Sequence, residues 1–551
     1  MTAPSITSQP VSASVAADEE VVFSVTASGD APLAYQWKRD GADIAGATSA
    51  SYSFNAGLAD DGASFTVTVS NPAGSVTSDA ATLTVTAVTP ELPERAARDG
   101  VIYLRNGDLY LVRTDGSRNQ RLTDSPELEQ FQAVTADGHI IYLRPGTSGG
   151  ELRSVWSDGT HDMLLHAYST GVLRIRAALE QQVIFEWVSP AGPGTSDLYV
   201  VNADGTALVQ LDDSVNPVLY EGMYTGNGET RIVYRAYPPT DDDNNLYSVR
   251  IDGTERRTLA DSTDFEQVLA IGPDGRVIYR RLVEGAPSTS DAHIFSVPID
   301  GSLPPVELGG STDSIFGSLL AEGDSYRVVF ARDGDVFSVY ADGSDERLLT
   351  GGVSGAARGG RATPDGKVLF ELTIAPPPST IRQLWIVNSD GSEPRQLTGE
   401  GVVETYRLHS VLPAGWVIHS VSSGTGPMTT LRAVHTDGTG LATLWPATPL
   451  VPEFVASSAD GRVIIEIPNG SGYSDYYSVN PDGTDLRILV ELANLGSWGG
   501  LCVDALNHDV ERVVLAQRVG DQRDLVSFTT DGRNARLLTD TEDDDEPVGV
   551  F

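Results

Sequence analysis

Ten times between residues 106 and 535 the chain repeats one phrase: a hydrophobic strand, an Asp-Gly turn, then a polar strand ending in leucine or valine. The turns are Asp115-Gly116, Asp158-Gly159, Asp204-Gly205, Asp252-Gly253, Asp300-Gly301, Asp342-Gly343, Asp390-Gly391, Asp437-Gly438, Asp482-Gly483 and Asp531-Gly532. Their separations are 43, 46, 48, 48, 42, 48, 47, 45 and 49 residues. Asp-Gly suits a two-residue type I′ hairpin, in which both central residues take positive φ, so each turn is expected to join two antiparallel strands. The segments before the turns alternate as strands do, as in Asp197-Leu198-Tyr199-Val200-Val201 and Asn245-Leu246-Tyr247-Ser248-Val249.

About 20 residues upstream of each turn lies a second hairpin, as at Pro273-Asp274-Gly275-Arg276-Val277, Pro364-Asp365-Gly366-Lys367-Val368 and Ala459-Asp460-Gly461-Arg462-Val463. Two hairpins per period make four strands, and a period in the 40s built this way predicts an all-β propeller. The first repeat has strands at Gly100–Leu104 and Asp108–Val112 but no inner strand before them. Glu546 to Phe551 are left over at the other end. That tail is expected to supply the missing strand, so that both ends share one sheet and no edge is exposed. A single ten-bladed ring is the leading reading, because no linker interrupts the middle of the array. Two five-bladed rings, or a smaller decorated ring, are the alternatives.

The segments Asp197 to Thr206 and Leu384 to Thr398, with the upstream Pro-Asp-Gly turns, resemble the repeats of TolB-type propellers over about residues 98–551. The resemblance implies a fold and leaves function open, since relatives of this repeat serve as interaction platforms, gating domains and polysaccharide lyases.

Residues 1–87 have a different pattern. Val21–Val25, Tyr35–Lys38 and Asp60–Asn71 resemble strands B, C and F of an immunoglobulin-like sandwich. Trp37 stands where such domains bury a tryptophan, valines (Val25 and Val67) stand at the two cysteine positions, and Phe65 replaces the corner tyrosine. Packing must then substitute for the disulfide. Residues 88–97 read as a linker, and 98–551 as the propeller.

Thirty-seven basic residues against 76 acidic ones give a net charge of −39. Such a charge disfavours nucleic acid and anionic membrane surface as partners. No apolar stretch is long enough to span a bilayer. The lone cysteine, Cys502, forms no internal disulfide and is silent about compartment. Met1-Thr2-Ala3-Pro4 runs directly into the first domain; the expectation is a mature periplasmic, cell-surface or secreted monomer with an added methionine, the alternative a complete cytoplasmic protein.

Candidate chemistry is sparse. Gly146-Thr147-Ser148-Gly149-Gly150 matches a nucleophile elbow, but the motif has meaning only between a strand and a helix. His409, His419 and His435 fall on successive strands of one repeat and could meet at a metal. Asp241, Asp242 and Asp243, and the run Glu542 to Glu546, offer hard oxygen ligands for Ca²⁺ or are simply solvated charge. No other cofactor is suggested. The proposed inner strands carry Arg174, Arg176, Arg358, Arg361 and Arg407, which either form an anion-attracting funnel or pair with acids such as Glu221, Glu266 and Glu404. Trp498 either stacks on a sugar or packs between blades. The expectation is a non-enzymatic binding or scaffold protein with a protein or glycan ligand. The alternative is a carbohydrate-active lyase or hydrolase with its site at the channel mouth.

Overall fold

The structure is a computed structural model that describes all residues except 17–19, 57–59, 61, 87–99, 190–195, 213–216, 238–243, 263, 283–291, 310–313, 376–380, 399–403, 424–428, 450, 459, 469–473, 491–500, 505–511, 520–521, 530–535, 540–544 and 551. The chain divides into two compact units, Met1–Glu94 and Arg95–Phe551. The expected linker, 88–97, lies outside the described residues. No α-helix occurs among those described.

In the first unit, strand Glu20–Ser24 pairs with Ser51–Asn55, and Ala34–Arg39 pairs with Ser64–Asn71 in a larger sheet. Alternating residues of these strands meet in one core of Val21, Phe23, Trp37, Phe65, Val67 and Leu83. The period-2 pattern puts every second side chain on the same face, which is why Phe65, Val67 and Val69 are buried while their neighbours are not. Val25 and Val67 belong to this core, Phe65 stacks on Phe23 at 4.6 Å, and the Trp37 indole N–H donates to the Ser49 carbonyl at 2.9 Å.

The second unit contains ten four-stranded antiparallel sheets, each a simple meander. Nine are built from four consecutive strands. The remaining one combines Gly100–Arg105, Asp108–Arg113 and Gln120–Arg121 with the C-terminal strand Glu546–Val550, which pairs with Gly100–Arg105. Counting that sheet as the first, apolar side chains pack each sheet on the next. Ile102 and Leu111 meet Ile140 and Val155; Ile278 and Ile294 meet Val328 and Phe330; Ile418 and Leu431 meet Val463 and Ile465. Val514 and Leu525 of the tenth sheet pack against Val101, Tyr103 and Val112 of the first. The repeats are thus propeller-type in strand number, order and stacking.

Polar clasps reinforce the stacking. A fully buried serine on the third strand donates to the carbonyl just ahead of the next sheet's Asp-Gly turn: Ser154 to Ala203, Ser248 to Ile299, and Ser527 of the tenth sheet to Thr114 of the first at 2.8 Å.

The Asp-Gly turns are not type I′. In all nine that are described, only the glycine has positive φ, between 64° and 85°. Its N–H donates to the carbonyl three residues back, as in Gly116 to Arg113 and Gly205 to Asn202. This is a type I turn followed by a left-handed residue, the alternative that hairpins use when the loop is longer by one. The aspartate side chain decides it. Asp Oδ1 accepts the N–H two residues on, from Ser117, Thr160, Thr206 and their counterparts, and so holds the turn from within. These bonds keep Asp115, Asp252 and Asp342 below the usual carboxylate range.

Candidate functional site

The first strand of each sheet, the inner strand in a propeller, lies close to its counterpart in the next sheet at several junctions, as between Gln130–Val134 and Val172–Ala178 and between Ile315–Glu322 and Ala356–Ala362. Nine of these ten strands carry a bulge, where an extra residue is set against a single partner on the second strand, as at Gln132, Arg176, Glu221, Leu269 and His409. A bulge re-aims side chains and sharpens the local twist. It therefore decides which inner-strand groups reach solvent.

The seventh sheet shows this most strongly. Its inner strand, Ala356–Ala362, shifts register between Arg358 and Arg361, leaving Gly359 and Gly360 unpaired with φ of 81° and 135°. A Cβ on Gly360 would lie 2.7 Å from Val329 Cγ1 of the sixth sheet, so only glycine permits this approach. Ser318 fastens it, donating to the Gly360 carbonyl at 2.9 Å and accepting from the Ala362 N–H at 2.8 Å. Arg358 and Arg361 flank the bend, and both are exposed.

Arg358, Arg361, Leu369, Glu371 and Leu408 line a cavity of about 290 Å³ between the seventh and eighth sheets. On the far side of the eighth sheet's inner strand, Glu404–Val411, a second cavity of about 360 Å³ is lined by Arg407, His409, Ser420, Ser422, Thr429, Glu453 and Phe454, among others. Leu408 lines the first cavity and its neighbours Arg407 and His409 the second, with His409 at the bulge.

Of the five inner-strand arginines, Arg176 alone is in an ion pair among the described residues, 2.5 Å from buried Glu186 on the adjacent strand. Arg174 is exposed and lines neither of these cavities. Arg174, Arg358, Arg361 and Arg407 make neither an ion pair nor a hydrogen bond among the described residues. The acids named as alternative partners are engaged elsewhere: Glu221 accepts from Arg235 at 2.5 Å, and Glu266 accepts from Ser262 at 2.6 Å and from Arg281 at 3.4 Å. Each of these pairs is built within its own sheet, between first and second strands. The side chain of Glu404 lies outside what is described, as do Trp498 and Asp241, Asp242 and Asp243.

The histidines do not converge. His419 stands opposite Leu408 and Arg432 in the middle of the eighth sheet and is fully buried. His435 is at the far end opposite Trp416, with Nε2 3.0 Å from the Ala414 carbonyl and Nδ1 3.1 Å from Asp437. No group of three or more His, Cys, Asp or Glu among the described residues is arranged to hold a metal. Neither His419 nitrogen makes a hydrogen bond of normal geometry, although the Val417 carbonyl favours its protonation slightly; burial dominates and lowers its pKa to about 4. His409 is lowered too, by burial and by the Arg407 charge.

Other sequence candidates are structural. Gly146 to Gly150 form the tip of a strand-to-strand hairpin, with no helix after Ser148. Asp545, from the acidic C-terminal run, is fully buried and accepts two hydrogen bonds from Arg105, at 2.7 and 2.9 Å. Burial raises the Glu266 pKa to about 7, in the range of a general acid, but Glu266 lines neither cavity.

No protein-family model matches the chain, and no curated relative matches it. Among solved structures, a TolB-type protein of Agrobacterium tumefaciens is 18% identical with a TM-score of 0.25, covering 44% of this chain and 87% of its own. A quinonprotein alcohol dehydrogenase-like protein of Bacteroides thetaiotaomicron is 12% identical with a TM-score of 0.23, covering 79% and 94%. A chimeric titin Z1Z2 is 24% identical with a TM-score of 0.14, covering 15% and 95%. At these scores the likenesses carry no inference about this chain. Its own sheets define it as an all-β protein with propeller-type repeats, and no helix of the described residues is long and apolar enough to cross a membrane.

Proposed function

We propose that the chain is an extracytoplasmic binding protein, an immunoglobulin-like module followed by one ring of ten blades, whose inner wall takes anionic groups of a protein or glycan ligand. One observation carries this reading. In a chain of net charge −39, Arg358, Arg361 and Arg407 stand on neighbouring inner strands, exposed and, among the described residues, without an ion pair or hydrogen bond, beside two cavities. Guanidinium groups are the side chains best shaped to take carboxylates, and a local cationic wall in an acidic protein concentrates anions there. The buried valines at the two cysteine positions, together with Trp37, support the immunoglobulin-like reading of the first unit. The Ser527 to Thr114 clasp between the tenth and first sheets, the same as those between sheets adjacent in sequence, supports the single ring. The alternative of a carbohydrate-active lyase or hydrolase has no such observation behind it.

The test is a calorimetric titration of the intact protein with small carboxylates, acidic peptides and acidic sugars at low and high salt. Binding weakening as salt rises is expected, because screening shortens the reach of exposed charge. Arg358→Ala, Arg361→Ala and Arg407→Ala combined should lower affinity at least tenfold with an unchanged melting temperature. Absence of any anion binding by the parent, or a triple variant that binds as the parent does, overturns the reading.

A further inference from the structure

The cavity between the eighth and ninth sheets has a more specific chemistry than a cationic patch. Its volume, about 360 Å³, falls at the small end of the range for small-molecule sites, about 300–1,000 Å³. Its charged lining residues are Arg407, from the eighth sheet and without an ion pair or hydrogen bond among the described residues, and Glu453, from the ninth. The lining also holds groups that both donate and accept: the hydroxyls of Ser420, Ser422 and Thr429, the last two 3.1 Å apart, and the His409 imidazole. The Phe454 ring lies 6.2 Å from the His409 ring and supplies an apolar face.

The ligand's character follows from the donor set. Phosphate carries mainly acceptor oxygens, and Glu453 would repel it. A peptide carboxylate satisfies Arg407 but brings few donors for Glu453. A sugar acid brings one carboxylate for Arg407, hydroxyls that donate to Glu453 and exchange hydrogen bonds with Ser420, Ser422, Thr429 and His409, and an apolar ring face for Phe454.

We propose that this cavity binds an acidic monosaccharide, a uronic acid or the uronate end of a glycan, with Arg407 on the carboxylate and the hydroxyls of Ser420, Ser422 and Thr429 beside His409 on the ring hydroxyls. The inference rests on the anion-binding reading above and narrows it to one cavity and one ligand class.

The experiment titrates the intact protein with glucuronate and galacturonate, with glucose and galactose, and with acetate and inorganic phosphate, each against the parent, Arg407→Ala, His409→Ala and Arg174→Ala. At least one uronate is expected to bind at least tenfold more tightly than its neutral parent sugar, acetate or phosphate. Arg407→Ala should weaken it at least tenfold and His409→Ala several-fold, while Arg174→Ala, on an inner strand but lining neither cavity, leaves it within about twofold. Arg407 is exposed, so its variant should melt as the parent does and report on binding alone. Uronates binding no better than acetate, or unaffected by Arg407→Ala, overturn this inference. If acetate or acidic peptides then still bind and respond to the combined arginine substitutions, the broader anion-binding reading survives; if no anion binds, both fall.

Discussion

His419 shows how a single buried side chain ties this fold to pH. Its imidazole is enclosed in the eighth sheet without a normal hydrogen bond and titrates near 4, whereas in the unfolded chain it would titrate near 6.5. Between those values the unfolded chain binds a proton that the folded chain does not, so stability falls as pH drops from about 6.5 to about 4. The loss from this group is on the order of 3 kcal/mol when complete. His419→Leu should therefore raise stability relative to the parent more at pH 5 than at pH 7.5, read as denaturant midpoints; parallel pH curves for the two proteins would remove His419 as the cause. The inner-strand arginines were legible in the sequence because they interrupt an acidic chain at the start of repeats. The partner of Arg176 was not. Arg176 finds Glu186 across a bulge, and a bulge shifts register without any residue type that announces it.

Among the elements, the turns were the most readable feature and also the one misread in detail. Asp-Gly fits a type I′ turn and a type I turn with a left-handed glycine equally well. What separates them is the Ser or Thr after the glycine, whose N–H the aspartate accepts in every described case. A second repeated signal went unread: the Leu-Thr pairs Leu122-Thr123, Leu349-Thr350, Leu397-Thr398 and Leu538-Thr539. Each leucine is buried, and each threonine hydroxyl accepts from a third-strand N–H, from Leu109, Val336, Leu384 and Leu525 in turn. The C-terminal strand depends on a different anchor. Asp545 precedes it and is buried against Arg105, so Asp545→Asn leaves a cation largely enclosed without its counter-charge. The expected cost is about 3–5 kcal/mol at neutral pH, measured by denaturant unfolding. A change below about 0.5 kcal/mol, typical of a surface site, would mean that the pair does not hold the strand.

At the scale of the molecule, the number of repeats and their four-stranded plan could be read from turn spacing, because each sheet needs two hairpins and each hairpin needs its turn. The cavities could not, since they arise where two sheets meet and depend on Gly359 and Gly360 bending one strand and on the bulge at His409 in the next. The first and tenth sheets are joined by the C-terminal strand, by apolar packing of Val101 and Val112 on Val514, and by the Ser527 clasp. The proposed function depends on that junction, because an inner wall exists only if the array of sheets turns back on itself. Electron-microscopy averages of single particles viewed down the channel test this most directly. The account predicts one closed ring of ten lobes; two rings of five, or an open arc, would contradict it.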